Sequence, residues 1–395
     1  MTARPKLRLQ PKHGARIKAG SPWVYSNEVV MDRATKALPA GALVELVEDR
    51  GASIGSAYFN AHSLIAGRLL SRTPDAKIDA DFFRDRIERA RALRDKLYDR
   101  PFYRLIHAEA DGCPGLAIDR YDDVLVAQSG TAGMDALSPL WLEALRAEFE
   151  PRAVLIKSDS PARAHEGLNA AVRLAHGALS RPTFVDEGGL RHLVDPMHGQ
   201  KTGWFYDQRA NRAFLIALAE RATLLDAFSY TGALGLGALK AGAKAALLLD
   251  SSQSALDLAA QTARSSGLAS RVEFRRCDVL AELEELAPTN ERFEIVSCDP
   301  PPFVRSKKDL ESGARGYRKL ARLSAGVVAQ GGFLALSSCS HAIDAERFQS
   351  ECAAGIARTG RGARLIRASG AAPDHPVHPM LPETAYLKSL VYQLD

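Results

Sequence analysis

Short apolar runs alternate with helical patterns through the second half of the chain, from residue 223 to residue 395. Such alternation is typical of a doubly wound parallel sheet with helices on both faces. Within residues 223–250, one apolar run reaches Asp226, a glycine-containing turn and a helical pattern follow, and a second apolar run ends at Asp250. The pattern predicts a βαβ unit whose two acids lie at strand C-termini, where open α/β sheets bind ligands.

The first half of the chain has a different pattern. Residues 1–73 contain five short β-like runs, near Leu7 and at 23–25, 42–47, 53–59 and 65–70, separated by Gly, Pro and Asn. So many short strands predict a small β-barrel. Residues 74–181 then show a helical pattern at 79–97, strand-like runs, a second helix near 135–149 and a strand at 153–157, which predicts an α+β module. We therefore expect a multidomain protein with domains at 1–73, 74–181 and 182–395.

The composition is that of an ordinary folded protein, and the length of 395 residues favours two or three domains. No apolar run is long enough to span a membrane, and the N-terminus lacks the apolar segment of a signal peptide, so the cytoplasm is the expected location. The five cysteines are scattered, which argues against a disulfide framework and a zinc site. We expect no metal at the site.

Positive charge is concentrated at the N-terminus. The net charge is only +5, yet the first 36 residues contain eight Lys or Arg and two acids. Basic surface of this kind suits contacts with nucleic-acid phosphates. A solvated basic end that aids solubility is the alternative.

Acids follow four successive predicted strands, and a thiol follows the fifth. The four acids are Asp226, Asp250, Asp278 and Asp299, and the thiol is Cys339. Three prolines after Asp299 stiffen a loop that ends in the aromatic Phe303, as suits a site that holds a flat ring. The turn glycines after Asp226 do not have the spacing of a pyrophosphate-binding fingerprint, so they serve either ligand approach or close helix–sheet packing.

The order of the segment 226–237, Asp250, Asp278 and D-P-P-P-F resembles that of class I S-adenosylmethionine-dependent methyltransferases. The chain also contains W-V-Y-S, D-G-C-P-G-L, H-G-Q-K-T-G-W-F-Y-D-Q-R, F-S-Y-T-G, R-G-Y-R-K-L, S-S-C-S and D-H-P-V in this order. Over nearly its whole length it therefore resembles the bacterial 23S ribosomal RNA 5-methylcytosine methyltransferases that carry a PUA domain, a small RNA-binding barrel. Two residues depart from that pattern, Pro302 where relatives have lysine and His341 where they have glycine.

This resemblance implies S-adenosyl-L-methionine as the cofactor and 23S ribosomal RNA as the partner, with a homodimer left open. It implies that Asp250 holds the ribose hydroxyls, that the turn at 228–232 meets the amino-acid end, and that Asp278 meets the adenine edge. The expected cofactor-binding residues are Lys201, Thr202, Gly203, Tyr206, Asp226, Phe228, Ser229, Tyr230, Thr231, Gly232, Asp250, Ser251, Asp278, Asp299 and Pro300. The expected base-binding residues are Pro301, Pro302 and Phe303.

Methylation of a pyrimidine at carbon 5 needs a nucleophile at carbon 6, and a thiolate is well suited to that role. We expect Cys339 to be this nucleophile and Asp299 to hold the ring edge, while the base that removes the carbon-5 proton stays unassigned. The other cysteines, Cys113, Cys277, Cys298 and Cys352, are expected to be structural, and His375 and His378 to lie in a loop. Methylation of an exocyclic nitrogen, methylation of uracil at carbon 5, and an inactive RNA-binding protein are the alternatives.

Overall fold

The computed structural model describes residues 4–395 and divides them into two compact units. The first unit contains the described residues through Thr183, together with Asp195–Trp204 and Asp374–Pro382. The second contains Phe184–Val194, Phe205–Pro373 and Glu383–Asp395. The domain boundaries expected at residues 73 and 181 stay a prediction.

The first unit begins with a five-stranded sheet of order β1-β3-β4-β5-β2. Its elements are β1 (Lys6–Arg8), α1 (Ala15–Lys18), β2 (Trp23–Val24), α2 (Arg33–Lys36), β3 (Ala42–Val47), β4 (Ser53–Phe59) and β5 (Gly67–Ser71). Just beyond the two edge strands, Leu9 and Val29 form an antiparallel bridge. All five predicted runs are therefore strands of one sheet, whereas the full closure of a barrel stays a prediction.

A second five-stranded sheet, of order β10-β9-β8-β7-β6, follows in the same unit. Its elements are α3 (Ala80–Leu97), β6 (Phe102–His107), β7 (Leu116–Tyr121), β8 (Val124–Ser129), α4 (Ala132–Ala136), α5 (Ser138–Phe149), β9 (Ala153–Ser158) and β10 (Ala171–Gly177). The single helix predicted near 135–149 is wrong in detail. Thr131 caps α4, and a proline stands in the first turn of α5, so the chain forms two short helices.

A buried ionic network joins separate segments of the first unit. The fully buried Arg94 pairs with Asp111 at 2.7 Å and also donates to the carbonyl oxygens of Arg104, at 2.9 Å, and of Asp374, at 2.8 Å. The carboxylate of Asp374 accepts from the backbone N–H of Arg104 at 2.9 Å and lies 2.8 Å from Nδ1 of His375. His375, expected in a loop, is therefore held inside this network.

The second unit is built around a seven-stranded sheet of order β15-β14-β13-β16-β17-β19-β18. Its elements are β11 (Thr183–Glu187), β12 (Leu190–Val194), α6 (Arg209–Ala217), β13 (Thr223–Ala227), α7 (Ala233–Lys240), β14 (Ala245–Asp250), α8 (Gln253–Ser265), β15 (Val272–Arg276), α9 (Val279–Leu286), β16 (Phe293–Cys298), α10 (Leu310–Gly326), β17 (Val328–Ser338), α11 (Ala345–Ala357), β18 (Ala363–Ser369) and β19 (Lys388–Leu394). The strands from β13 to β17 pair in parallel, and β19 runs antiparallel to β17. This is the predicted alternating α/β arrangement.

The direction of chain winding reverses beside β13. The chain places β14 and β15 on one side of β13, and then β16 and β17 on the other. Such a reversal opens a crevice at the carboxyl ends of the strands, which is where doubly wound sheets bind ligands. Asp226 and Asp299 belong to the two strands at this point.

One predicted helix start is wrong. Asp207 was expected to cap a helix running toward Arg221, but α6 begins at Arg209 and ends at Ala217. Asp207 instead lies in a short 3₁₀ turn, where its carboxylate accepts a hydrogen bond from the hydroxyl of Tyr386. A carboxylate used by a distant side chain is no longer placed to cap the helix that follows it.

Within residues 4–395, no helix is long and apolar enough to cross a membrane. The same residues contain no group of three or more His, Cys, Asp or Glu side chains placed to hold a metal ion. The cellular location stays a prediction.

Candidate active site

Asp226 is a buried carboxyl near the end of β13. The backbone N–H of Gly235 donates to its Oδ2 at 3.0 Å. Burial raises the pKa of Asp226 to about 7, and the negative charges of Asp299 and Asp250 add to that effect. The strand ends therefore bring these three predicted acids together, and the group keeps a proton more readily than an exposed aspartate does.

Asp250, the last residue of β14, organises the adjacent turns. Its Oδ2 accepts from the backbone N–H of Tyr230 at 2.8 Å, and its Oδ1 accepts from that of Ser252 at 2.8 Å. Each carboxylate oxygen has two acceptor lone pairs. Both oxygens therefore keep acceptor capacity for a ligand while they hold the turn that follows β13.

The turn between β13 and α7 has a constrained backbone and unsatisfied hydroxyls. Phe228 and Tyr230 adopt φ values of 63° and 50°, which are uncommon for residues other than glycine. The side-chain oxygens of Ser229 and Thr231 are buried and have no hydrogen-bond partner. Buried polar atoms are normally paired, so these two hydroxyls fit a polar ligand. The ring of Phe205 packs edge-on against Tyr230, with 5.3 Å between centroids.

The glycines after Asp226 serve packing. A Cβ added to Gly232 or Gly235 would lie 2.7 or 2.6 Å from a methyl carbon of Leu248 in β14. A Cβ at Gly237 would lie 2.7 Å from Ile216. These contacts decide the question left open by their spacing, because side chains there would push α7 away from the sheet.

The remaining predicted cofactor residues of the second unit lie around the same strand ends. The backbone N–H of Asp299 reaches the carbonyl oxygen of Ala227 at 3.4 Å, and Pro300 is buried. Ser251 and Asp278 are exposed, and Asp278 caps α9 by accepting from Ala281 N–H at 3.0 Å.

The turn at 201–206 is divided between the two units. Lys201, Thr202 and Gly203 belong to the first unit, where Thr202 donates its hydroxyl to Asp119 and its carbonyl oxygen accepts from the Tyr121 hydroxyl at 3.0 Å. Their contact with a cofactor stays a prediction. Tyr206 belongs to the second unit and is buried there.

Cys339 follows the last residue of β17 and is half-buried. Next to it, the hydroxyl of Ser340 donates to the carbonyl oxygen of Val304. The Tyr317 hydroxyl lies 2.7 Å from that of Ser338 and accepts from Phe303 N–H at 3.4 Å. The structure thus holds the thiol's turn against the loop of Pro300, Pro301, Pro302 and Phe303.

Two residues of this cluster were not found from the sequence. Tyr317 lies within R-G-Y-R-K-L, but that segment carried no assigned role, and its ring stacks 4.9 Å from that of Phe303. Lys388 pairs with Ser338 across the β17–β19 ladder, and its Nζ donates to the carbonyl oxygens of Ser340 and of Ile343, the latter at 2.8 Å. No local pattern signals Lys388, because only the ladder brings it beside Cys339.

The other cysteines have different surroundings. Cys113, Cys298 and Cys352 are buried, and burial raises the pKa of each thiol, to about 12 for Cys113 and Cys298. Cys277 was expected inside a buried strand, which is wrong: it follows the edge strand β15 and is half-buried, with burial raising its pKa to about 11. Such thiols stay protonated and unreactive at neutral pH.

The two departures from the family pattern flank the same region. Pro302 is half-buried in the loop after Asp299. His341 is exposed, its Nδ1 lies 3.0 Å from the carbonyl oxygen of Glu383, and its ring centroid lies 5.3 Å from that of Tyr386. Both residues thus belong to segments next to Cys339 rather than to the turn after β13.

Comparison with known proteins gives matches over parts of the chain and over all of it. Residues 7–72 match the PUA-like domain family, and residues 208–316 match the family described as conserved hypothetical protein 95. The ribosomal RNA large subunit methyltransferase I of Aeromonas salmonicida is 36% identical over 375 residues, which is 94% of each chain. The protein of the same name from Shewanella denitrificans is 34% identical over 391 residues, or 98% of each chain.

A solved structure shares the whole fold. It is named as a methyltransferase complexed with SAH, and it superposes with a TM-score of 0.83 at 20% sequence identity, covering 98% of this chain and 100% of the other. At this identity the likeness shows the fold.

Proposed function

Because the chain belongs to the ribosomal RNA large subunit methyltransferase I family, we propose that it transfers a methyl group from S-adenosylmethionine to carbon 5 of a cytosine in 23S ribosomal RNA. The observation that carries the proposal is the half-buried thiol of Cys339, tied beside a loop that ends in Phe303. A thiol at this edge of the sheet suits addition to a pyrimidine ring, and an aromatic loop suits holding that ring.

The cofactor site of the proposal is the edge formed by β13, β14 and β16. Asp250 keeps acceptor capacity for two ribose hydroxyls, and the buried hydroxyls of Ser229 and Thr231 suit the polar amino-acid end. The exposed Asp278 is proposed to meet the adenine edge, and Lys201 to Gly203 the methionine moiety. When bound, S-adenosylmethionine supplies an electrophilic methyl group on a sulfonium centre.

The chain's own residues carry the rest of the reaction. The Cys339 thiolate forms a bond to carbon 6, which moves the electron pair of the double bond to carbon 5, where the methyl group is accepted. Loss of the carbon-5 proton to a base then restores the double bond and releases the thiolate. Asp299 holds the ring edge and stabilises charge as the adduct forms. The target base must also leave its stack, and gripping by Phe303 and the prolines before it offsets that cost.

The alternatives make different demands on Cys339. Methylation of an exocyclic nitrogen needs no covalent adduct, so turnover would survive Cys339→Ala. Methylation of uracil would move the trapping reaction from fluorinated cytosine to fluorinated uracil. An inactive RNA-binding protein would neither bind S-adenosylmethionine nor show a higher melting temperature in its presence. The structure of the thiol's surroundings favours the first proposal over these three.

The test is to trap the adduct. The enzyme is incubated with S-adenosylmethionine and target RNA that carries 5-fluorocytosine, because fluorine cannot leave as a cation and the adduct persists. We expect mass spectrometry to find the RNA on Cys339 in the wild type and nothing in Cys339→Ser. Trapping that persists in the variant, or active wild-type enzyme that traps nothing, contradicts the mechanism. Mass mapping of 23S RNA from a strain lacking the gene identifies the nucleotide.

RNA docking is proposed for the N-terminal segment. Its exposed basic side chains are Lys6, Arg8, Lys12, Arg16, Lys18, Arg33 and Lys36. Reversing the charge of Lys6, Lys12 and Arg33 together should weaken RNA binding and reduce its salt dependence, by a slope of about 0.7 to 0.9 per lost phosphate contact. Arg84, Arg89 and Arg91, exposed on α3, are the matched control. Equal losses in the two triple variants would leave no special role for the N-terminal segment. Such a reaction on ribosomal RNA places the enzyme in the cytoplasm.

A further inference from the structure

Lys388 is held in a fixed position beside the proposed nucleophile. It is the first residue of β19 and lies opposite Ser338, the residue before Cys339. Its ammonium donates to the carbonyl oxygens of Ser340 and Ile343, on the other side of Cys339. A lysine ammonium has three hydrogens, so these two bonds fix its place and leave one donor.

The charge of this ammonium and that of a thiolate are coupled. Burial lowers the pKa of Lys388, and negative charge on Cys339 and on Asp344 opposes that lowering. A half-buried cation held by neutral carbonyls gains most from a nearby anion, because water screens the pair less than at a fully exposed site. By the same coupling, the cation favours the ionised form of the thiol.

The other titratable groups around Cys339 do not replace this cation. Tyr317 packs from α10, and burial raises its pKa, so it is neutral at ordinary pH. Asp344, at the start of α11, is negative and works against a thiolate. His341, next along the chain after Ser340, is exposed. Lys388 is the permanent positive charge that the ladder brings to this turn.

We propose that Lys388 is a positioning residue for Cys339, whose fixed ammonium stabilises the thiolate form of the nucleophile. The inference rests on the proposed function, since it assigns Cys339 the attacking role. It deepens that function by stating what ionises the thiol.

The test measures the thiol directly and needs neither RNA nor cofactor. Alkylation of Cys339 by iodoacetamide is followed by mass spectrometry as a function of pH in the wild type, Lys388→Met and Lys388→Arg. We expect the midpoint to rise by about one pH unit or more in Lys388→Met, which is about a tenfold loss of rate below the midpoint. Lys388→Arg keeps the charge and should keep the midpoint near that of the wild type.

Two controls separate charge from loosening of the turn. Ser340→Ala removes the hydroxyl bond to Val304 without changing charge, so it should leave the midpoint in place. Cys277, half-buried elsewhere, reports in the same samples and should be unaffected by Lys388→Met. A midpoint that does not move in Lys388→Met, or that moves equally in Ser340→Ala, overturns the inference.

The outcome is separable from that of the proposed function. If wild-type enzyme forms the 5-fluorocytosine adduct but the midpoint does not depend on Lys388, the inference fails and the function stands. If the midpoint shifts as expected but no adduct forms on active enzyme, the thiol is activated and the carbon-5 mechanism fails.

Discussion

The hydroxyl oxygens of Tyr317 and Ser338 lie 2.7 Å apart, and the Tyr317 oxygen also accepts from the backbone N–H of Phe303. One buried hydroxyl therefore connects the strand that precedes Cys339 with the loop that follows Asp299. Tyr317→Phe leaves Ser338 and the Phe303 N–H without this partner. Such a loss costs about 1 to 3 kcal/mol of stability when the groups stay buried.

We expect Tyr317→Phe to lower kcat/KM for RNA about tenfold or more while the affinity for S-adenosylmethionine is retained. Steady-state kinetics and calorimetry measure the two quantities. The matched control is Tyr392→Phe in the same unit, because the Tyr392 hydroxyl is buried without a hydrogen-bond partner. Removing that hydroxyl should not destabilise the fold, and equal effects of the two changes would contradict a role for the Tyr317 bonds.

Asp250→Ala should weaken the binding of S-adenosylmethionine at least about tenfold, which corresponds to about 1.4 kcal/mol. The change removes both the proposed ribose acceptor and the acceptor that holds Tyr230 N–H. Calorimetry measures the affinity. Asp257→Ala, which removes an equal charge from an exposed position on α8, should bind as the wild type does. Unchanged binding by Asp250→Ala would remove Asp250 from the cofactor site.

Asp226 should make the second unit less stable as pH rises. Its pKa is raised from 3.8 to about 7 in the folded state, so its contribution to stability is fully present below pH 3.8 and is lost as pH rises through 7. Asp226→Asn does not titrate and should gain on the order of 2 kcal/mol over the wild type between pH 5 and pH 8. Urea unfolding at the two values measures the gain. The exposed Asp257→Asn should show no such gain, and a pH-independent difference for Asp226→Asn would refute the raised pKa.

Arg94→Ala should destabilise the first unit by about 3 to 5 kcal/mol, because it leaves the buried carboxylate of Asp111 without its cation. Arg89→Ala on the same helix breaks an exposed pair with Asp85, so a loss under about 1 kcal/mol is expected. Urea unfolding of both variants makes the comparison. Similar losses would mean that the Arg94 network adds no more than a surface ion pair.

The sequence predicted well those elements whose burial follows a simple period. The bounds of β3, β4 and β7 agree with the predicted runs to the residue. β10 was missed because it is an edge strand with exposed residues along one stretch, so it has no clear apolar pattern. The break between α4 and α5 was missed because the apolar pattern continues through Leu137.

The same contrast holds at the candidate site. Asp226, Asp250 and Asp299 were found because the carboxyl ends of parallel strands share one edge of a sheet. Lys388 was missed because its place depends on the pairing of β17 with β19, which sequence spacing does not reveal. Asp207 was misassigned because its partner Tyr386 lies far along the chain.

The composition of the first unit has a consequence for protein synthesis. Arg94 and Arg104 emerge from the ribosome early, yet both form hydrogen bonds with Asp374, which is made near the end of translation. Thr202, the partner of Asp119, is also made after the first 183 residues. The nascent N-terminal region therefore cannot complete its buried polar network while the intervening chain is still being made. Its last folding step is post-translational, and a fragment that stops at Thr183 never reaches it.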